Sequence, residues 1–374
     1  MKRELGIGRC GLACALCSEN EHCGGCQTDD CPGSASCENR KCSIEKGVGH
    51  CYECGEVCTK GMLSKIKPFA FTEFIRRYGE AALLDCLERN EARGVVYHRE
   101  GITGDYDDFD DAEALIRFIQ TGQRPYQDIN AATIDRWVRE GWEWGRPISH
   151  EIYQSALSGE WELFLTPNKP VPRAWLGDLR GKRVLGLASG GGQQMPILTA
   201  LGARCTVLDY SPLQIESERM VAEREGYDIE IIRGDMTRPL PFDDGTFDLI
   251  FHPVSNCYVQ EVRPIWRECF RVLKPGGELL AGTDHYVNYI VDAEERQIVN
   301  HLPFDPLRDP EQMRQLEQAE AGVQFSHSLE EQIGGQLEAG FTLLELYEDT
   351  NHEGRLRDLN IPTFLAMRSR KPVN

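Results

Sequence analysis

Two groups of residues in this chain have the types and spacing that chemistry requires. The first is a run of eleven cysteines before residue 59: Cys10, Cys14, Cys17, Cys23, Cys26, Cys31, Cys37, Cys42, Cys51, Cys54 and Cys58. Cys14/Cys17, Cys23/Cys26 and Cys51/Cys54 have CxxC spacing. That spacing lets two thiolates of one tight turn reach the same tetrahedral ion, and four thiolates close a structural zinc site. Turn formers stand among them, as in Cys23-Gly24-Gly25-Cys26 and Cys31-Pro32-Gly33. Disulfides are the competing staple, but nothing in MKRELGIGRCGLACALC marks export, and eleven is an odd number. The reading is a zinc-binding head, with His22 and His50 as additional candidate ligands and an iron–sulfur cluster as the alternative. The spacing does not say which ligands share an ion.

The second group is Ser189-Gly190-Gly191-Gly192, between the strand-like RVLGLA (183–188) and the helix-like MPILTALG. A strand that turns into a helix through glycines lets a ligand lie against bare backbone, and the helix amino end offers N–H groups and positive potential. Asp209, nineteen residues beyond Gly190, ends the next strand, where a carboxylate can accept both hydroxyls of a ribose. These features suit a nucleoside cofactor. A dinucleotide fingerprint would continue as GxGxxG, but from Gly190 the chain reads Gly-Gly-Gly-Gln-Gln-Met.

The elements that must position this turn alternate. CTVLDYS (205–211), DIEIIRGDM (228–236), FDLIFHPV (247–254) and PGGELLAGTD (275–284) are further strands, and PLQIESERMVAEREG and VRPIWRECFRVL are intervening helices. Alternation of this kind implies a parallel sheet. GFTLLELYED and IPTFLAMRSR read as a hairpin at one sheet edge. Ahead of the sheet lies an aromatic stretch with Trp137, Trp142, Trp144 and Tyr153, which serves either as core or as a lid that excludes water. The insertion after the fifth strand, roughly 286–330, is read as a substrate-facing cap carrying Tyr286, Tyr289, His301, Phe304 and Phe325.

The ordered set VLGLASGGG, TVLDYS, RGDM, DGTFDLIF and RVLKPGG resembles the class I S-adenosylmethionine-dependent methyltransferases over about residues 126–370. The resemblance implies an α/β, Rossmann-like fold with a seven-stranded, mostly parallel sheet. It also implies that Ala188, Ser189, Gly190 and Gly192 line the turn beside the methionine part of the cofactor, with Gly191 between them. Asp209 then takes the ribose hydroxyls, Tyr210 flanks the adenine, with Ser211 next in the cofactor set, and Asp235 accepts the adenine amino group with the Met236 backbone beside it. His252, Pro253 and Val254 face the sulfonium. The chain departs from the pattern at Gly186, where the family has an acid that helps hold the cofactor's ammonium group, and at Ala188, where it has glycine. Gln193 and Gln194 are candidates to compensate through their side-chain carbonyls. His252 is the candidate general base, ahead of Tyr258 and Asp284-His285.

The cysteine spacing itself resembles a widespread cysteine-rich domain family of unknown function, over roughly residues 8–122, in which a helical tail follows the last cysteine. Here KPFAFTEFIRRYGEAALLDCLERN and DDAEALIRFIQTG supply that tail at helical apolar spacing. The expected organisation is a metal-stapled head with helical tail (1–122), a helical and aromatic lid and linker (123–181), and the cofactor-binding domain (182–374).

Composition bounds the partners. The chain has 374 residues, 41 Lys plus Arg against 60 Asp plus Glu, and a formal net charge of −19. Nucleic-acid affinity comes mostly from cations neutralising phosphates, so this balance argues against an RNA base methyltransferase, the alternative function. A small-molecule methyl acceptor is expected, with a protein partner for the cysteine-rich head as a further possibility. A non-enzymatic cofactor-binding and docking protein is the third reading. No apolar run approaches the roughly 18 residues of a membrane span, and the expected location is cytoplasmic.

Overall fold

The computed structural model describes residues 1–18, 23–26, 28, 35–99, 103–109 and 111–373. Cys31, His22 and the Cys31-Pro32-Gly33 turn lie outside them. The chain divides into two units, Met1–Pro125 and Tyr126–Asn374, so residues 126–181 fold with the sheet that follows them. No described helix is long and apolar enough to cross a membrane.

In the first unit four α-helices follow one another: α1 (Glu38–Glu45), α2 (Ile66–Tyr78), α3 (Glu80–Ala92) and α4 (Ala112–Thr121). Their apolar stripes make the core, with Phe71, Leu83, Leu87, Leu115 and Ile119 fully buried. Among its described residues the cysteine-bearing segment adds buried Ile7, Ala13 and Ala15 to it, with Leu16 and Tyr52 packed against them. Helix α4 starts where the Asp111 carboxylate accepts the Glu113 and Ala114 N–H groups, and it ends at Gly122 in the left-handed conformation. Lys67 is buried because its ammonium meets Asp107 at 2.7 Å and lies 3.9 Å from the Tyr97 ring centre.

The second unit opens with α5 (Tyr126–Arg139) and α6 (His150–Leu157). It continues as β1 (Arg183–Leu187), α7 (Gln194–Ala200), β2 (Arg204–Asp209), α8 (Pro212–Glu225), β3 (Glu230–Arg233), β4 (Phe247–His252), α9 (Arg263–Val272) and β5 (Leu273–Asp284). After the 286–330 insertion come β6 (Thr342–Asp349) and β7 (Phe364–Arg370). The sheet order is β3-β2-β1-β4-β5-β7-β6, parallel except for the antiparallel β7 with its neighbours. It is the seven-stranded, mostly parallel, Rossmann-like sheet of the class I methyltransferases.

Alternation along each strand feeds two cores. Val184, Val207, Leu249 and Phe251 face one side with Met195 and Trp175; Leu185, Leu187, Leu208 and Ile250 face the other with Trp266 and Cys269. The strand read as beginning at Pro275 begins at Leu273, and Pro275-Gly276-Gly277 is an interruption within it: Leu273 pairs with Phe247 and Glu278 with Leu249, so four residues are accommodated between. The chain runs outward from β1 through β2 to β3 and then returns to β4 on the other flank. The crevice at the carboxyl ends of β1 and β4 is therefore the place where open α/β sheets take ligands.

One close approach fixes the wall of that crevice. A Cβ on Gly282 in β5 would lie 2.0 Å from the Leu165 carbonyl oxygen, so the 163–171 segment rests on bare backbone. Gly282→Ala is expected to push that segment off the sheet and lower stability by about 1–3 kcal/mol, read as a lower urea midpoint by circular dichroism.

Candidate active site

The turn after β1 is held from behind. The Gly190 N–H donates to Asp209 Oδ2 at 2.9 Å, Gly191 N–H to the Gln214 carbonyl at 2.9 Å, and Gly192 N–H to Glu218 Oε2 at 3.0 Å. Protein acceptors thus take all three glycine N–H groups of the turn, which are distinct from the donors expected at the amino end of the following helix, α7. What the turn presents is its bare edge. A Cβ on Gly190 would sit 2.8 Å from Gln214 Cβ and 2.9 Å from Asp209 Oδ2, and Gly191 and Gly192 have φ of +93° and +66°. Ala188 also lies in the left-handed region, at φ +48°, a conformation that costs a β-carbon-bearing residue energy. The absent acid at 186 has a steric counterpart: a Cβ there would lie 2.6 Å from Met195 Sδ.

A turn whose three glycine N–H groups are already taken does not cradle a pyrophosphate as a phosphate-binding turn does. Asp209 is buried, and burial raises its pKa against the pull of the Ser211, Gly190 and Tyr210 N–H groups. Its oxygens each accept a backbone N–H, Oδ2 from Gly190 and Oδ1 from Ser211 at 3.0 Å, and a carboxylate has further lone pairs with which ribose hydroxyls could bond. Glu218 is fully buried, and burial pushes its pKa up to about 8.

The remaining expected cofactor residues divide. Ala188, Ser189, Gly190, Gln193, Gln194, Pro253 and Val254 line one cavity of about 1080 Å³, whereas Gly191, Gly192, Asp209, Tyr210, Ser211, Asp235 and Met236 do not. The Ser211 hydroxyl caps α8 by accepting the Gln214 N–H and donates to Asp135 Oδ1 at 2.6 Å. The Tyr210 phenol donates to Asp128. Asp235 Oδ1 accepts the Thr237 N–H and hydroxyl at 2.8 and 2.7 Å, and Met236 is in the core. Gln194 Oε1 accepts the Ser189 hydroxyl at 3.2 Å, and the Gln193 amide donates to the Glu143 and Arg146 carbonyls.

His252 is the clearest correction. It is 0% exposed and absent from the cavity wall, with Nδ1 at 2.8 Å from the Leu187 carbonyl and Nε2 at 2.8 Å from Asn256 Oδ1. Its ring packs edge-on against Trp266, and burial lowers its pKa. Sealed inside the fold and off the cavity wall, it cannot reach a methyl acceptor there. His285 lies outside the cavity wall too, against the Tyr286 ring, whereas Tyr258 and Asp284 are on it.

Sequence reasoning passed over Asp128, Asp135, Gln214 and Glu218. For Glu218 a signal existed, since an acid on the apolar stripe of α8 with Ile215, Val221 and Ala222 must be buried and bonded. Asp128 and Asp135 gave none, because they reach the site from the separate helix α5. Of the aromatic stretch, Trp142 and Trp144 line the cavity, while Tyr153 is buried against Tyr227.

In the first unit, Cys10, Cys14, Cys17, Cys23, Cys26, Cys37, Cys42, Cys51, Cys54 and Cys58 are all free thiols. A hydrogen bond between the Cys14 and Cys26 sulfurs raises the first pKa and lowers the second, to about 6. Cys42, Cys51, Cys54 and Cys58 share the wall of a small cavity of about 150 Å³ with Asn39. The Asn39 amide lies 3.8 Å from Cys51 Sγ, and the Lys46 ammonium 3.6 Å from Cys54 Sγ. His50 is turned elsewhere, to Glu53 and the Tyr52 ring. Among the described residues no group of three or more His, Cys, Asp or Glu side chains is arranged to hold a metal ion.

Comparison with known proteins agrees with the sheet and the turn. A family described as "Methyltransferase domain" matches residues 185–281. An uncharacterized methyltransferase, YbaJ, of Bacillus subtilis is 41% identical over 249 residues, covering 65% of this chain and 97% of that one. A demethylmenaquinone methyltransferase of Clavibacter sepedonicus is 35% identical over 102 residues, covering 27% of this chain and 40% of its own length. A solved S-adenosylmethionine-dependent methyltransferase from Mesorhizobium loti is 21% identical, covers 53% of this chain and 94% of its own, and aligns with a TM-score of 0.43. The chain belongs to the methyltransferase family. It is a methyltransferase.

Glu218 makes the support of the turn testable. An unfolded glutamate ionises near 4.5, but the buried one ionises at about 8, so its contribution is complete below the first value and lost as pH rises through the second. Glu218→Gln keeps an acceptor for Gly192 and cannot ionise. The fall in the urea midpoint between pH 5 and pH 8 is expected to be smaller in this variant than in the parent.

Proposed function

We propose that the enzyme methylates a small molecule with an apolar, ring-bearing body, held in the cavity that continues from the Ser189-Gly190 turn. The continuity of that cavity carries the reading. Its wall includes Ser189 and Gly190 of the turn together with Trp142, Phe164, Val254, Tyr289, Phe304 and Leu316, with polar side chains such as Asn288, Asn300 and Gln324 among them. Sites of this kind are concave and mostly apolar, with a few polar groups that fix orientation. The demethylmenaquinone methyltransferase relative is a small-molecule enzyme by name. The net charge of −19 weighs against a nucleic-acid acceptor.

S-adenosylmethionine supplies a methyl group on a sulfonium, and the protein supplies placement. In this reading the bare edge of Gly190 receives the cofactor's methionine part, Asp209 accepts the ribose hydroxyls, and Asp235 with the Met236 backbone flanks the adenine. Gln193 and Gln194, on the same cavity wall, are assigned to the ammonium group through their side-chain carbonyls. Pro253 and Val254 border the reacting end, and Trp142 and Trp144 help exclude water. In-line transfer requires an acceptor held near van der Waals distance, and the cap residues Tyr289 and Phe304 are positioned to hold it.

Calorimetric titration with S-adenosylmethionine tests the cofactor part. Asp209→Ala is expected to weaken binding at least about tenfold, on the scale of a lost charge-assisted hydrogen-bond pair. Tritium transferred from labelled cofactor into a cell extract should then appear in material below about 1 kDa; label in RNA would overturn the acceptor class.

For the first unit we propose structural zinc held by the cysteines, in a cytoplasmic, reducing setting that keeps the thiols free. Support comes from the Cys14–Cys26 contact and from the four cysteines around the smaller cavity. As they stand these side chains do not form a closed ligand set, so the ion would have to draw them together. Elemental analysis of the purified chain is expected to find zinc, and chelation to lower the thermal midpoint of the first unit. Iron, or no metal at all, would refute this assignment.

A further inference from the structure

Asp284, the last residue of β5, lines the large cavity and is 7% exposed. Its two oxygens differ. Oδ2 accepts the Tyr289 phenol at 2.6 Å, whereas Oδ1 is buried and has no hydrogen-bond partner among the described residues. Buried polar atoms are almost always paired, and leaving one unpaired costs roughly 1–3 kcal/mol or more. Neither the fold nor the cofactor turn uses this oxygen. Around it stands an apolar cluster of Cys257, Tyr289 and Phe304, with Val254, Tyr258 and Leu316 packed against it.

Resting on the reading of this cavity as the methyl-transfer site, the geometry points to Asp284 Oδ1 as the acceptor of the substrate's nucleophilic O–H or N–H, whose apolar body lies against Tyr289 and Phe304. The Tyr289 phenol holds the carboxylate by its other oxygen, so the free one keeps its direction. During transfer, the bond from the substrate's oxygen or nitrogen to the methyl carbon forms as the methyl–sulfur bond breaks. The electron pair remains on sulfur as a neutral thioether, and the substrate's proton passes to Asp284 Oδ1.

The neighbours agree with this role. Burial raises the Asp284 carboxyl above its usual range, against the Tyr289 hydrogen bond, which makes its ionised form a better base than an exposed aspartate. The adjacent Cys257 thiol is pushed well up by burial and stays protonated. His252, the residue the chain order suggested, is sealed behind the sheet end.

Two fluorescent probes test the assignment without knowledge of the natural substrate: β-naphthol, which carries an O–H on an apolar body, and its methyl ether, which does not. With S-adenosylmethionine present, the parent protein is expected to bind β-naphthol at least about tenfold more tightly than the ether, the scale of a hydrogen bond to a charged group. Asp284→Ala should abolish that preference while calorimetry shows the parent affinity for S-adenosylmethionine. Asp284→Asn, of equal size, should lower tritium transfer into the labelled small-molecule fraction by about 100-fold or more. Equal binding of the two probes by the parent, no binding of either, or a preference that survives Asp284→Ala would each overturn the proposal. Failure of the parent to bind S-adenosylmethionine would instead strike the cofactor reading on which it rests.

Discussion

The second unit depends on one arrangement: a glycine turn after β1 whose three N–H groups are held from behind by Asp209, the Gln214 carbonyl and Glu218. The turn can approach β2 and α8 this closely only without side chains, as the contacts around Gly190 and Gly191 show. Because protein acceptors take its donors, the turn faces the cavity as bare backbone with carboxylates beneath it. With these three donors taken, the glycines offer a phosphate no N–H cradle, which separates the turn from the phosphate-binding turns that share its strand–glycine–helix order.

Everything that completes the site comes from elsewhere in the chain. Helix α5 sends Asp128 to Tyr210 and Asp135 to Ser211, which fixes the amino end of α8 and so the acceptors of the turn. The 163–171 segment closes down on Gly282 of β5. The 286–330 insertion then supplies Tyr289 and Phe304 opposite the cofactor end. The cavity wall thus joins the tightly bonded turn to aromatic and polar side chains of the insertion, with the Asp284 carboxylate on it.

The first unit reverses the usual relation between cysteines and core. Its folding core is helical, built on Phe71, Leu83, Leu87, Leu115 and Ile119, while most of the described cysteines lie in loops and short turns around it, with Cys42 in α1. Loops of that length bury little apolar surface of their own. The free thiols at Cys42, Cys51, Cys54 and Cys58 face one another across a small cavity rather than across a bond.

Much of the second unit was readable beforehand because its strands are continuous apolar runs punctuated by glycines, and such runs have few alternatives to a buried parallel sheet. Hence the strand order of events, the glycine turn and Asp209 were all legible. Less legible were the bounds of β3 and the break inside β5, where pairing with a neighbour, not local composition, decides. The base candidate went astray for a related reason. A histidine at the carboxyl end of β4 belongs by position to the ligand crevice, yet its ring turns toward Leu187 and Asn256, a choice made by packing. By itself the amino-acid sequence determined the sheet, the cofactor turn and the separate cysteine-rich head, because periodicity and glycine placement act over a few residues. Tertiary structure alone decided which side chains face the cavity, since His252 and Asp284 stand at equivalent strand ends and only three-dimensional packing hides one and leaves an oxygen of the other unpaired.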